Sequence, residues 1–401
     1  MTYSKLALIT GAGASISFGY PSTKDFTLKI SQRIKDPAQA VSPSALSLLD
    51  QIQSALDSYL INPRAVTFED IYQGIHDVCT LRKIPTDPDA FNEFRPRAGA
   101  THQLKKEFEA FSESDVSELQ YAYLDSLLNT FLVNLTSISS TAAFASTISK
   151  LEQDHVVWSF TLNYDTIIDE IIGKNVSGFI PGTPPRGFDP SILEAALSSE
   201  KSIHVHLHGS LKWGFPSGGS ADPFALHEFD TPKDGVAHSM SRPSGRPILR
   251  GETLPPSPVI TGLDKAELVF REPFFSNFMT YFRSLNLCNS MLIAGYGFSD
   301  YHLNIGIRNC RMNRPDVNVY LVCQDAAANP ELFLSLVSPV TWDTILPEDN
   351  GFAGSIPQIM PGFPGWWKVP GNTKYNTSPI YLWPGDFKAF CDAVTKSGLP
   401  R

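Results

Sequence analysis

The chain of 401 residues has no run of about eighteen apolar residues, which excludes an ordinary membrane-spanning helix. It also lacks a signal peptide's apolar segment and cleavage site. A single lysine, Lys5, precedes a strand-like stretch that runs straight into a glycine turn, so a cytoplasmic protein without membrane attachment is expected. Cysteine is sparse and scattered. Cys79, Cys288, Cys310, Cys323 and Cys391 form no CxxC pair, which speaks against a disulfide framework and a zinc knuckle and predicts buried free thiols. Positive charge is short as well: 32 basic against 41 acidic side chains leave a net charge of -9. No basic stripe is visible, so direct nucleic-acid binding is not expected. Small molecules and other proteins are the better partners. No internal repeat is found.

What is present is an alternation of apolar runs and turns. Strand-like runs stand at residues 6–10, 156–161, 203–207, 291–294 and 317–322. Several end in Gly, Asn or Asp, as buried parallel strands do where they give way to functional loops. The fold class predicted is therefore α/β, a doubly wound, mostly parallel sheet. Residues 11–155 are far more than a crossover connection needs. Within them Val116, Leu119, Tyr123, Leu124, Leu127, Leu128, Phe131 and Leu135 recur at helical spacing on one face, the pattern of a packed helix. Residues 44–60 and 68–82 behave alike. A large helical insertion subdomain is expected at 31–150, within a discontinuous catalytic domain of residues 1–30 and 151–401. Except around the strand at 203–207, residues 177–258 are rich in Pro, Gly and Ser and predict mainly loops. The tail from 361 resembles them, with Trp366, Trp367 and Trp383 expected to pin loops and a short helix expected at 386–395.

Five clusters carry chemistry. Gly11, Ala12, Gly13 and Ser15 follow the first strand, where glycines allow a tight turn and let backbone N–H groups approach a phosphate at a helix start. The third glycine of the dinucleotide fingerprint is missing, since Ile16 stands there, so hydride-transfer chemistry is disfavoured. The second cluster is Thr161-Leu162-Asn163-Tyr164-Asp165 at the end of a strand. Asn163 and Asp165 offer polar groups to a ligand, or Asp165 simply caps a helix. In the third, His204, His206 and His208 alternate onto one face. With no carboxylate or cysteine nearby in sequence, no metal site is expected. His208 precedes a glycine at the strand end and is a candidate general base. The fourth, Gly295-Tyr296-Gly297-Phe298-Ser299-Asp300, repeats the strand-then-glycine-turn pattern, with a cap at Ser299 or Asp300 as the plainer reading. The fifth is Gln324-Asp325, either a ribose-binding carboxylate or surface loop.

Taken in order, GAGAS (11–15), GYPS (19–22), TLNYD (161–165), LHGS (207–210) and GYGFSD (295–300) resemble the sirtuin family, and its bacterial sirtuin-like branch especially, over about residues 5–325. The resemblance implies a Rossmann-like domain with NAD lying across the carboxyl edge of the sheet as a substrate. It would place Asn163 against the nicotinamide ribose or the attacking water and His208 as general base. Gly11, Ala12, Gly13 and Ser15 would hold phosphates, beside Pro21, Asp165, Gly295 and Gly297. Ser299 or Asp300 would line the phosphate and ribose region, and Asp325 the adenosine ribose. Cleavage needs a site that excludes bulk water and orients one nucleophile, and no metal is implied.

Two departures from protein-deacylating sirtuins stand out. The four-cysteine zinc module is absent, and Ser22-Thr23-Lys24 follows Pro21 where an acidic, arginine-bearing continuation would stand. With the helical insertion, this is similar to the NAD-hydrolysing members of bacterial antiviral defence. Such an enzyme implies control by assembly or by a partner. A homo-oligomer is expected, with sensing supplied in trans by an Argonaute-like protein or, as the favoured partner, a HerA-type hexameric ATPase. Protein deacylation, ADP-ribose transfer and non-catalytic sensing of NAD or ADP-ribose are the alternatives.

Overall fold

The computed structural model describes residues 3–59, 66–83, 110–135, 141–172, 176–216, 225–239, 257–261, 269–322, 358–360, 363, 365–369 and 378–400. Its strands are β1 (Ser4–Thr10), β2 (His155–Thr161), β3 (Arg186–Gly187), β4 (Ile203–His206), β5 (Trp213–Gly214), β6 (His227–Glu228), β7 (Ser290–Ala294), β8 (Asn318–Val322), β9 (Gln358–Ile359), β10 (Trp367–Val369) and β11 (Ile380–Trp383). Its helices are α1 (Ala12–Ile16), α2 (Thr23–Ile34), α3 (Pro43–Tyr59), α4 (Phe68–Lys83), α5 (Glu113–Leu135), α6 (Ala142–Asp154), α7 (Ile167–Ile172), α8 (Pro190–Ser198), α9 (Pro232–Ser239), α10 (Phe274–Leu287), α11 (Tyr301–Asn313) and α12 (Phe387–Ser397).

Leu6, Ala7, Leu8 and Ile9 of β1 are fully buried, because this strand is covered on both faces. Leu6 and Leu8 pack with α6 and α12, while Ala7 and Ile9 pack with α8, α10 and α11. The chain is thus an α/β protein of three layers. Its main sheet runs β4-β2-β1-β7-β8-β11-β10-β9. The strands from β4 to β11 are parallel, and β10 and β9 add an antiparallel edge. The path goes from β1 outward through β2 to β4, then returns to the other side of β1 at β7. That reversal is a topological switch point, and it opens a crevice at the carboxyl ends of β1, β2 and β7.

Helices α2 to α5 bury a core of their own. Phe26, Ile30, Leu48, Leu49, Ile71, Ile75, Leu124 and Leu127 pack together with Tyr164 and Val259 from beside the sheet. Phe131 is its pivot, with ring centroids 4.2 Å from Phe26, 5.8 Å from Phe68 and 5.1 Å from Tyr164. Helix α6 instead lies on the sheet, setting Phe144 edge-to-face against Phe387. Among the described residues no helix is long and apolar enough to cross a membrane.

All five expected strands lie in the sheet, and the helix expected at 386–395 is α12, capped by Asp386 accepting from Ala389 N at 2.7 Å. Two expectations need correction. The tail tryptophans do not only pin loops, for Trp367 and Trp383 sit in β10 and β11. Such short strands leave too little alternation to read, and pairing of β11 with β8 and of β10 with β11 orders them. The 177–258 stretch likewise holds α8, α9 and a small sheet, β3-β6-β5. Pro190 there opens α8 behind the cap Asp189, a position where proline is compatible with a helix.

Truncating the pivot should loosen the helical core from the sheet. Phe131→Ala is expected to lower the unfolding free energy by ~3–5 kcal/mol in denaturant titration.

Candidate active site

The crevice is built where two glycine turns interlock. Gly11 N donates to Ala294 O at 3.0 Å and Gly13 N to Gly295 O at 2.9 Å, so the turn after β1 is pinned to the turn after β7. A Cβ on Gly11 would come within 2.6 Å of Gly295 O, and one on Gly13 within 2.8 Å of Gly295 Cα. Gly295 has φ +61° and a Cβ there would overlap Ala14 N. These glycines serve turn-to-turn contact, and their two N–H groups are engaged within the protein. Ala12, between them, is exposed to the crevice.

A chain of hydrogen bonds crosses beneath these turns. Asn163 Nδ2 donates to Gly11 O at 3.1 Å and to Ser15 Oγ at 2.8 Å, and Ser15 Oγ donates to Asp165 Oδ2 at 2.8 Å. With both amide protons spent, Asn163 keeps Oδ1 as an acceptor for the crevice. Asp165 also accepts from Ile167 N at 3.1 Å, so it caps α7 and closes the network at once. Burial raises its pKa from 3.8 to about 6, the hydrogen bonds from Ser15 and Ile167 only partly offsetting the loss of water.

His208 stands opposite. Gly209 follows it at φ +96°, where a Cβ would strike Pro258 O. Ile260 N donates to His208 O at 2.7 Å and Tyr164 OH to Ile260 O at 2.7 Å, so the histidine is clamped between β4 and residues 257–261. Its Nε2 is 3.9 Å from Asp300 Oδ1, and its ring centroid is 5.8 Å from that of His302. Asp300 occupies the N-cap position of α11 but makes no capping hydrogen bond with its side chain.

These groups share one cavity of about 490 Å³. Its lining includes Gly11, Ala12, Gly13, Pro21, Asn163, Asp165, His208, Gly295, Gly297, Ser299 and Asp300. Ser15 lies just beneath, and Asp325 falls outside the described residues. The far wall was not anticipated. Tyr20, Phe26, Phe68, Glu69 and Phe131 come from the helical core, where helical spacing signals packing alone. Tyr296, between its glycines, donates its hydroxyl to Asn304 Oδ1 at 2.9 Å and braces the second turn. Only the Asp300-Tyr301-His302 adjacency hinted at His302.

Residues 158–337 match the family model of the SIR2-like domain. The match supports a sirtuin-like family and takes in Asn163, His208 and the second glycine turn. No curated protein sequence matches the chain. Two solved structures are similar in fold. One, described as the structural basis for the mechanism and regulation of Sir2 enzymes, is 11% identical with a TM-score of 0.34, covering 80% of this chain and 81% of that one. The other, a Sir2 homologue in complex with NAD, is 12% identical with a TM-score of 0.36, covering 98% and 89%. Both likenesses are distant.

Behind the crevice lies a second polar cluster. His206 Nε2 is 3.1 Å from both carboxylate oxygens of Asp169, and His204 Nε2 is 3.5 Å from Oδ1. Burial opposes charge here, yet the His206 charge, the hydrogen bonds from His206 and the nearness of His204 hold the Asp169 carboxyl well below the usual range. His206 is raised in turn, Asp169 outweighing burial, while burial keeps His204 lowered. Cys288, Cys310 and Cys391 are buried and free.

Two measurements test this geometry. Gly295→Ala should cost at least ~2 kcal/mol, from the left-handed backbone and the overlap together, read by thermal unfolding. For Asp165 the folded-state pKa lies above 3.8, so the folded protein holds the proton more tightly. Its stability contribution therefore falls as pH rises from about 4 to about 6 and stays lost above. Asp165→Asn should gain on the wild type across that window by up to ~3 kcal/mol in parallel denaturant titrations.

Proposed function

We propose that this chain is a sirtuin-like NAD hydrolase that cleaves the nicotinamide–ribose bond to nicotinamide and ADP-ribose. The observation that carries this reading is the convergence of Asn163 and His208 on one cavity floored by the two glycine turns. Its floor lets a phosphate chain approach the backbone at Ala12 and its far wall is aromatic, features that suit a dinucleotide. NAD supplies a scissile bond to a cationic leaving group.

The protein's part is orientation and proton handling. Asn163 is held from two sides, so its Oδ1 presents a fixed, neutral acceptor to a ribose hydroxyl or a water without itself competing as a base. His208 takes the proton from that water, with Asp300 at 3.9 Å favouring the imidazolium that forms. The Tyr20, Phe26 and Phe131 wall keeps bulk water away.

We further propose antiphage defence by NAD depletion as the setting, in the cytoplasm, with activity held in check by homo-oligomerisation and by a HerA-type ATPase or Argonaute-like partner. The scattered cysteines and the Ser22-Thr23-Lys24 continuation favour hydrolysis over deacylation or ADP-ribose transfer. Nicotinamide and ADP-ribose release by the purified protein, alone and with its genomic neighbour, tests this. Asn163→Ala and His208→Ala should each slow release by ~10²-fold or more. Absence of release in every condition, or unchanged release in both variants, refutes it. Turnover only with an acylated peptide or acceptor protein points to the transferase or deacylase alternative, and tight NAD binding without turnover to a sensor.

A further inference from the structure

The Asp169, His204 and His206 cluster has the construction of a metal site. Each imidazole is anchored through Nδ1 to a fixed neighbour: His204 to Ser159 Oγ at 3.0 Å and His206 to the Asn163 carbonyl at 3.1 Å. These Nδ1 contacts leave both Nε2 atoms turned toward Asp169. This is the outer-shell arrangement that fixes the tautomer of a ligating histidine. One nitrogen or oxygen from each of the three residues lies within 4.8 Å of the others. The Nε2–carboxylate separations of 3.1 and 3.5 Å bracket the donor-to-donor edge of a zinc tetrahedron, about 3.3 Å for bonds of about 2.0–2.1 Å. Asp169 and His204 also line a cavity of about 500 Å³, which leaves room for a water or anion in the fourth position. Arg186, Lys212 and Glu228 line it too. Arg186 is neutralised by Glu228 at 3.0 Å and Asp230 at 2.7 Å, and the charge of Lys212 favours an anionic fourth ligand.

We infer that Asp169, His204 and His206 bind one divalent transition metal ion, Zn²⁺ by donor chemistry, in a three-ligand site separate from the crevice. Binding releases the Nε2 proton that faces Asp169 to solvent, and the resulting set of two neutral imidazoles and one carboxylate suits a borderline ion better than Mg²⁺ or Ca²⁺, which select oxygen. The ion sits one residue-layer behind Asn163. Through His206 it holds the Asn163 carbonyl in place, which makes it a positioning element for whatever chemistry the crevice performs.

The test needs no enzymatic activity. Chelator-stripped full-length protein is titrated with ZnCl₂, and bound metal is counted by elemental analysis; Co²⁺ replaces Zn²⁺ in a parallel sample for visible absorption. One Zn²⁺ per chain, intense tetrahedral Co²⁺ bands and a rise in Tm with Zn²⁺ are expected. Asp169→Asn and His206→Gln should abolish uptake. Ser159→Ala, which removes only the outer-shell acceptor of His204, should weaken it by about 10–100-fold, and His238→Gln, on an unrelated helix, should leave it unchanged. A stripped wild type that takes up no Zn²⁺ overturns the inference without relying on any variant's folding. So does stoichiometric uptake that persists in Asp169→Asn and His206→Gln.

Discussion

The contact on which the rest of the molecule depends is the one between two backbones, the turn after β1 and the turn after β7. A parallel sheet with a switch point leaves a gap between the strands that diverge from it. Here the gap is bridged by Gly11 and Gly13 donating to Ala294 and Gly295, at an approach that no side chain could share. Once the turns are locked, the Gly11 carbonyl has a fixed position. It is to that carbonyl that Asn163 donates.

The same logic continues outward as a series of buried polar groups, each held by the previous one. Ser15 accepts from Asn163 and donates to Asp165, and Asp165 ends the series at the start of α7. Burying that carboxyl is unfavourable, as its raised pKa records. That local cost goes with a fixed orientation of Asn163 at the crevice, and such costs accumulate at functional sites. On the far side of Asn163, its carbonyl accepts from His206 Nδ1, and the ring passes the constraint to Asp169. Asn163 is therefore gripped at its side chain from one direction and at its backbone from the other.

The helical core has a role that its composition does not announce. Phe26, Phe68 and Phe131 pack as any core does, yet the edge of that core is also the wall of the crevice. Stability and the shape of the site are consequently coupled through the same rings.

Much of the architecture could be read directly. Continuous apolar runs marked the central strands because both faces of a parallel sheet are buried, and Gly, Asn and His at their ends marked the ligand edge because parallel strands all deliver their carboxyl ends to one side. Asn163, His208 and both glycine turns were legible for that reason. The short edge strands, the aromatic wall and the reading of Asp169 were not. Asp169 stands 35 or more positions from His204 and His206, on a helix whose face no periodicity in so short a segment could assign. The sequence by itself settled which chemical groups lie at the sheet's edge. Only the tertiary structure decided which of them meet, since the Ser15–Asp165 bond, the glycine interlock and the Asp169–histidine cluster all join segments far apart in the chain, and such pairings are chosen by packing.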